Sequence, residues 1–186
     1  MNIISPVKPL ANLELGDLLQ ISATLVALCK YGENPYQTPA GLFAFETDDP
    51  LALHKFTSAH EAMPPSYINS TDVDRLITAI THEAAGSELN GWGIPRIAIG
   101  VKHGNASGAG QSAKEEDVIL EAKVGTGTDD CFSSMLHGDL TAIFGGSVMT
   151  NSVITMRDAE VLATQKLDCI VAPGFEDGVC AKLERV

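Results

Sequence analysis

Val101-Lys102-His103-Gly104-Asn105-Ala106-Ser107-Gly108 places two titratable side chains at the end of an apolar run and follows them with a stretch of small residues. A lysine presents a point positive charge to a phosphate or a developing oxyanion, and a neighbouring histidine accepts a proton near neutral pH. Glycines behind the pair let a ligand approach the backbone closely. Consecutive residues of an extended strand point to opposite faces, so a shared target requires the chain to turn at this junction. The structural alternative is a solvent-facing lysine beside a histidine that caps a loop.

The other candidates are weaker. His54 and His60 lie in a proline-rich stretch, His82 falls inside a helical pattern and His137 marks a helix end. None belongs to an HxE…PCxxC or HExxH pattern, so no catalytic metal is expected. Gly104, Gly108 and Gly110 do not form GxGxxG, and there is no GxxxxGK[ST] loop. Gly125-Thr126-Gly127-Thr128 fits a phosphate nest or a plain turn, with the turn favoured. Cys29, Cys131, Cys169 and Cys180 have neither metal-ligand spacing nor a dense disulfide pattern, which suits buried thiols in a reducing, cytoplasmic setting.

These residues need elements to position them. Leu15, Leu18, Leu19, Ser22, Leu25, Val26 and Cys29 repeat at three- and four-residue spacing, so Leu13 to Lys30 reads as a helix ended by Gly32 and Pro35. Residues 34–65 read as an ordered loop region or short hairpin, with Leu42-Phe43-Ala44-Phe45 its most strand-like piece. A second helix opens at Ser70 or Thr71 and stops near Gly86. Arg96 to Val101 is a strand apolar on nearly every residue, which predicts a central, parallel position. Lys102 to Gly110 reads as a loop, Ser112 to Val124 as a helix with capping-box spacing, and Thr128 to His137 as a short helix. Leu140 to Phe144 and Cys169 to Ala172 read as further strands, Thr155 as the cap of a helix ending near Lys166, and Phe175 to Arg185 as a terminal helix or strand. The alternation describes one α/β domain with helices on both faces of a mixed or parallel sheet. Loops 102–108 and 145–151, each following a predicted strand, share one crevice in this reading.

The chain has 24 acidic against 12 basic residues, a formal charge of -12, and this balance disfavours nucleic acid and anionic membranes as partners. An anionic small molecule remains compatible, because a few N–H groups and one or two lysines can invert the field inside a pocket. The N-terminus lacks a signal-peptide layout and no apolar run approaches a membrane span, so a soluble, cytoplasmic protein is expected.

Five segments resemble a known family. Lys30-Tyr31-Gly32-Glu33-Asn34-Pro35-Tyr36-Gln37 is similar to the [RK]YGENPHQ opening of the formyltransferase domain of AICAR transformylase/IMP cyclohydrolases. Ser66 to Asp72 resembles the family's SYxNxxD, Val101 to Gly108 its VKHxNPCG, Asp139 to Gly146 its DPxSAFGG, and Ile170 to Phe175 its IAPxF. The resemblance covers residues 30–175 in family order. It implies a cytidine-deaminase-like three-layer sandwich without zinc chemistry, spanning residues 30–186 after an N-terminal helical extension over 1–29.

The implied activity is formyl transfer from 10-formyltetrahydrofolate to the amine of AICAR or a related carboxamide. His103 matches the proton acceptor and Lys102 the residue that stabilises charge on the formyl intermediate. Lys30 and Tyr31 match a phosphate-side pair and Asn69 a substrate-pocket asparagine. Asn105, Gly108, Phe144, Gly145, Gly146 and Asn151 match pocket-lining positions. Ala106 and Ser107 stand where the family has Pro-Cys, Tyr36 where it has His, Leu140 where it has Pro, and Ala142-Ile143 where it has Ser-Ala. The resemblance reaches the first half of the formyltransferase domain. It therefore implies a second subunit supplying the other half, with a homo-oligomer acting on another small molecule as the alternative. An amide or heterocycle hydrolase without folate, and a non-catalytic structural or ligand-sensing subunit, are the competing functions.

Overall fold

The apolar run that begins at residue 96 becomes the strand around which the molecule is arranged. A computed structural model describes residues 14–15, 22–59, 65–112 and 130–184. Its first elements are β1 (Thr24–Cys29) and β2 (Ala40–Ala44), paired as an antiparallel two-stranded ribbon. Helix α1 (Tyr67–Leu89) follows a short 3-10 turn at Leu53–Lys55. Next come β3 (Arg96–Lys102), β4 (Asn105–Ser112), α2 (Cys131–Gly138), β5 (Gly146–Thr150), α3 (Met156–Leu162), β6 (Leu167–Val171) and α4 (Val179–Leu183).

The main sheet has the order β4-β3-β5-β6. β3 is antiparallel to both its neighbours, whereas β5 and β6 are parallel, so the sheet is mixed. Strand alternation divides the core. Ile97, Ile99, Val101 and Met149 pack with Val73, Leu76 and Ile80 of α1 on one face. Ala98 and Val148 pack with Cys131, Phe132, Met135 and Leu136 of α2 and with Ala159 and Leu162 of α3 on the other. Helices therefore flank both faces of a mixed sheet.

Two close approaches fix composition here. A Cβ on Gly108 would lie 2.1 Å from the Met135 carbonyl oxygen, and one on Gly110 would lie 2.1 Å from that of Cys131. Strand β4 is glycine-rich because the α2 backbone rests directly on it.

Several expectations are corrected. Thr24–Cys29, read as the last part of a helix, is strand, with exposed apolar side chains at Leu25, Val26 and Leu28. Within Thr24–Cys29 the apolar residues at Leu25, Val26 and Cys29 belong to a ribbon strand apolar on both faces. Leu13 and residues 16–21 of that predicted helix lie outside the described residues, as do 113–124 of the helix predicted from Ser112, the Gly125-Thr126-Gly127-Thr128 turn and His60; Ser112 itself ends β4. Helix α1 begins earlier than expected, because Ser66, not Ser70 or Thr71, is its N-cap, and it runs past Gly86. The stretch after Lys102 is a hairpin and a strand, not a loop. Leu140 to Phe144 is a turn before the strand, which starts at Gly146, and β3 is antiparallel where parallel pairing was expected. Thr155 does cap α3, with Asp158 at the third helical position.

Candidate functional site

Strands β3 and β4 pair as far as Lys102 and Asn105, leaving His103 and Gly104 as a two-residue hairpin loop. Their φ values are 51° and 75°, the double left-handed combination whose twist suits a tight hairpin. Glycine adopts it freely. A histidine there costs about 1 kcal/mol, since its Cβ crowds the following carbonyl. The turn that a shared Lys–His target requires is therefore present. The half-buried Lys102 donates from Nζ to the Phe144 carbonyl at 2.5 Å. His103 is exposed, and its carbonyl accepts Nδ2–H of Asn105 at 3.1 Å.

Antiparallel pairing explains why Phe144 is nearby. Val101 is opposite Ser147, so the residues leading into β5 lie beside the end of β3. Gly145, at φ 70°, donates its N–H to the Lys166 carbonyl at 2.7 Å. A Cβ on Gly146 would meet the Val101 carbonyl oxygen at 2.8 Å, so that position stays glycine. The same turn faces two residues that sequence reasoning missed. Lys166 Nζ lies 5.7 Å from the centre of the Phe144 ring, and the Asp168 carboxylate lies 3.8 and 4.0 Å from where a Gly145 Cβ would be. Neither was singled out because the strand was expected over Cys169 to Ala172, and both residues precede that span.

Helix α1 brings the third segment. Ser66 Oγ accepts from Asn69 N at 3.2 Å, and Asn69 Oδ1 accepts from Ser66 N at 3.1 Å and Ser66 Oγ at 2.8 Å. This reciprocal cap fixes the start of the helix. Tyr67 N donates to the Tyr31 carbonyl and Lys30 N to that of Pro65, both at 3.1 Å, so Lys30 and Tyr31 are tied to the same helix end. Gln37 shapes the loop beyond them: its carbonyl accepts Gly32 N at 2.9 Å and its Oε1 accepts Asn34 N at 2.7 Å. Further along α1, Asp72 Oδ1 accepts the N–H of Gly104 at 2.8 Å. Burial, together with the negative charges of Asp72 and Asp168, pushes the Cys169 thiol up to about 11.

Lys30, Tyr31, Asn69, Lys102, His103, Asn105, Phe144, Gly145 and Gly146 thus gather around one end of the sheet. Gly108 and Asn151 do not join them. Gly108 lies under α2, where its missing Cβ serves packing. Asn151 is at the far end of β5, roughly 17 Å along the strand from Gly146. There its Oδ1 accepts from Ile97 N and its Nδ2 donates to the Pro95 carbonyl, each at 2.8 Å.

The gathered groups offer a cation, an exposed imidazole and the exposed ring of Phe144, on which a planar heterocycle can stack. A concavity of about 560 Å³ lined by Ser133, His137, Leu140, Arg157, Glu160, Val161 and Thr164 lies elsewhere, between α2 and α3, and shares none of these residues. Among the described residues no group of three His, Cys, Asp or Glu side chains is placed to hold a metal ion, and no helix is long and apolar enough to cross a membrane.

A model of the AICARFT/IMPCHase bienzyme family matches residues 6–185. The chain is 28% identical over 147 residues to the bifunctional purine biosynthesis protein PurH of Prochlorococcus marinus strain MIT 9313, covering 79% of this chain and 25% of that protein. It is 32% identical over 154 residues to PurH of Natranaerobius thermophilus, covering 83% and 24%. With PurH of Listeria welshimeri it shares 30% identity over 150 residues, covering 80% and 24%. The chain spans about a quarter of the length of the curated relatives it matches.

Proposed function

The chain belongs to the AICARFT/IMPCHase bienzyme family, and from that premise we propose that it is the Lys–His-bearing part of a formyltransferase-like enzyme of purine biosynthesis. The observation that carries this reading is the position of Lys102 and His103 at a hairpin turn bonded to Asp72 of α1 and to the Phe144 carbonyl. The substrate is AICAR or a related carboxamide, and the formyl donor is 10-formyltetrahydrofolate. The amine attacks the formyl carbon, His103 takes the amine proton, and the C–N bond to the folate then breaks, with the departing nitrogen taking up a proton. Lys102 faces the oxyanion that forms between these steps. Lys30 and Tyr31 lie on the phosphate side, and Asn69, Asn105 and the 144–146 turn line the pocket.

The fold we assign is the cytidine-deaminase-like three-layer sandwich, formed by residues 30–186, with residues 1–29 an extension whose end contributes β1. A second subunit completes the site, in a cytoplasmic complex. The β1–β2 ribbon supports that assembly, since it exposes Leu25, Val26, Leu28 and Phe43. Two strands with apolar groups in water are marginal without cover.

One observation favours a second reading. His103 is open to solvent, so water can replace the amine and turn transfer into hydrolysis.

The test is turnover of Lys102→Ala and His103→Ala in the reconstituted complex, corrected for folded fraction. The transferase reading expects His103→Ala to lower turnover by about 10²- to 10⁴-fold and Lys102→Ala by about 10²- to 10³-fold. Formate release without an acceptor amine would favour the hydrolase. Lower stability with unchanged turnover would leave both residues structural and support a non-catalytic subunit.

A further inference from the structure

The geometry points to Asp72 as the positioning residue of the Lys102–His103 hairpin, an inference that rests on the proposed catalytic role of that pair. Asp72 is 2% exposed, although it is a carboxylate on a helix that has ample solvent-facing surface. Its neighbours on the α1 side of the sheet are mostly apolar: Val73, Leu76, Val101 and Met149 belong to one cluster, with Cys169 packed against it. A buried carboxylate in such surroundings needs strong donors. It has one in Gly104 N–H at 2.8 Å, a charge-assisted bond from the residue next to His103.

That bond connects two parts of the site that are far apart in sequence. At its first turn α1 holds Tyr31 through Tyr67 N, and six residues after its cap it holds Gly104. The helix is thus the common reference for the 30–37 segment and for the hairpin. His103 occupies a left-handed backbone conformation that a histidine does not choose by itself, and such a conformation persists only where its surroundings impose it. The paired strands hold one side of the turn, and Asp72 holds it from beneath. Ser147, on β5 between Val101 and Cys169, is fully buried, and its Oγ has no hydrogen-bond partner among the described residues.

The experiment compares wild type, Asp72→Asn and Asp72→Ala in the reconstituted complex, reading kcat, KM and hydrogen exchange at the Gly104 amide. Asn keeps an acceptor of the same shape without the charge, and Ala removes it. Asp72→Ala is expected to speed Gly104 exchange about tenfold or more, and to lower kcat about 10- to 100-fold through misplacement of the pair, with KM little changed. Asp72→Asn is expected to restore most of both quantities. Should Asp72→Ala fail to fold, Asp72→Asn against wild type carries the test, and a several-fold rise in Gly104 exchange with a matching fall in kcat is the expected result. The inference is overturned if Gly104 exchange does not respond to either substitution. It is equally overturned if both variants only melt earlier while kcat per folded molecule stays at the wild-type value. If wild type shows no transfer or hydrolysis at all, the functional reading fails by itself. Gly104 exchange still reports whether Asp72 holds the turn.

Discussion

At its first residue, β3 carries Arg96, whose guanidinium donates to Asp158 at 2.5 Å and to Ser152 at 2.7 Å and lies 5.1 Å from the Phe132 ring centre. At its last residue it carries Lys102, which reaches the Phe144 carbonyl beside an exposed histidine in a left-handed turn. Both ends have a cation, yet they are treated in opposite ways. The Arg96 end is closed: Asp158 also accepts Thr155 N and Oγ at 2.8 Å, and Asn151 fills the sheet end. At the Lys102 end, among the described residues, the His103 imidazole and the Phe144 ring face solvent. Among the described residues the cation is paired with a buried carboxylate at one end of the strand, and at the other it meets a backbone carbonyl beside a solvent-facing imidazole.

Breaking the closed end should have the largest effect on stability and little on chemistry. Removing one partner of a buried pair leaves the other charge uncompensated, so Asp158→Ala should cost about 3 kcal/mol or more in chemical denaturation. Turnover per folded molecule should hold. The same pair gives a pH dependence. Burial would raise Asp158, but its bonds from Arg96 and Thr155 outweigh that and hold its carboxyl below the ordinary value of 3.8. A carboxylate depressed in the folded state contributes stability that is complete at neutral pH. That contribution disappears as pH falls below about 4. Acid titration of stability should therefore fall less steeply in Asp158→Asn.

A smaller effect is expected midway along the hairpin. Gly108→Ala would drive a methyl group into the Met135 carbonyl, an overpacking that typically costs about 1–3 kcal/mol. If Gly108 serves packing, thermal unfolding shifts and KM does not. A changed KM at normal stability would return Gly108 to the binding site. The smallest effect belongs to Ser147. Its buried hydroxyl lacks a partner among the described residues, so Ser147→Ala should leave stability unchanged or raise it by up to about 1 kcal/mol. A clear loss would mean that the hydroxyl is satisfied after all.

The same contrast shows what the sequence could reveal. The buried run of β3 and the capping box of α3 were legible because burial and caps are written in local residue types. Pairing direction was not, since an apolar run reads alike in parallel and antiparallel sheets. β4 was hidden by its glycines, which respond to the distant α2 backbone and look like loop residues. The ribbon strand β1 imitated a helix because both of its faces are apolar. At the site, Lys102 and His103 were legible from their types and order. Asp72 closes the SYxNxxD-like segment, but its burial and its bond to Gly104 were not legible, because a carboxylate on a helix normally faces water. Asn151 carried a motif position, and its hydrogen bonds place it in the closed end of the sheet.

The central claim is that the hairpin end of β3 is shaped for chemistry at the expense of local comfort, and His103→Gly tests it most directly. Glycine adopts the observed φ of 51° without strain, so the substitution removes the imidazole while relieving the backbone. Turnover and unfolding free energy would be measured on the same preparation of the reconstituted complex. The account predicts that turnover falls about 10²- to 10⁴-fold, while stability is unchanged or rises by up to about 1 kcal/mol. Turnover that stays near wild type, or that falls only in proportion to lost folded protein, would contradict it.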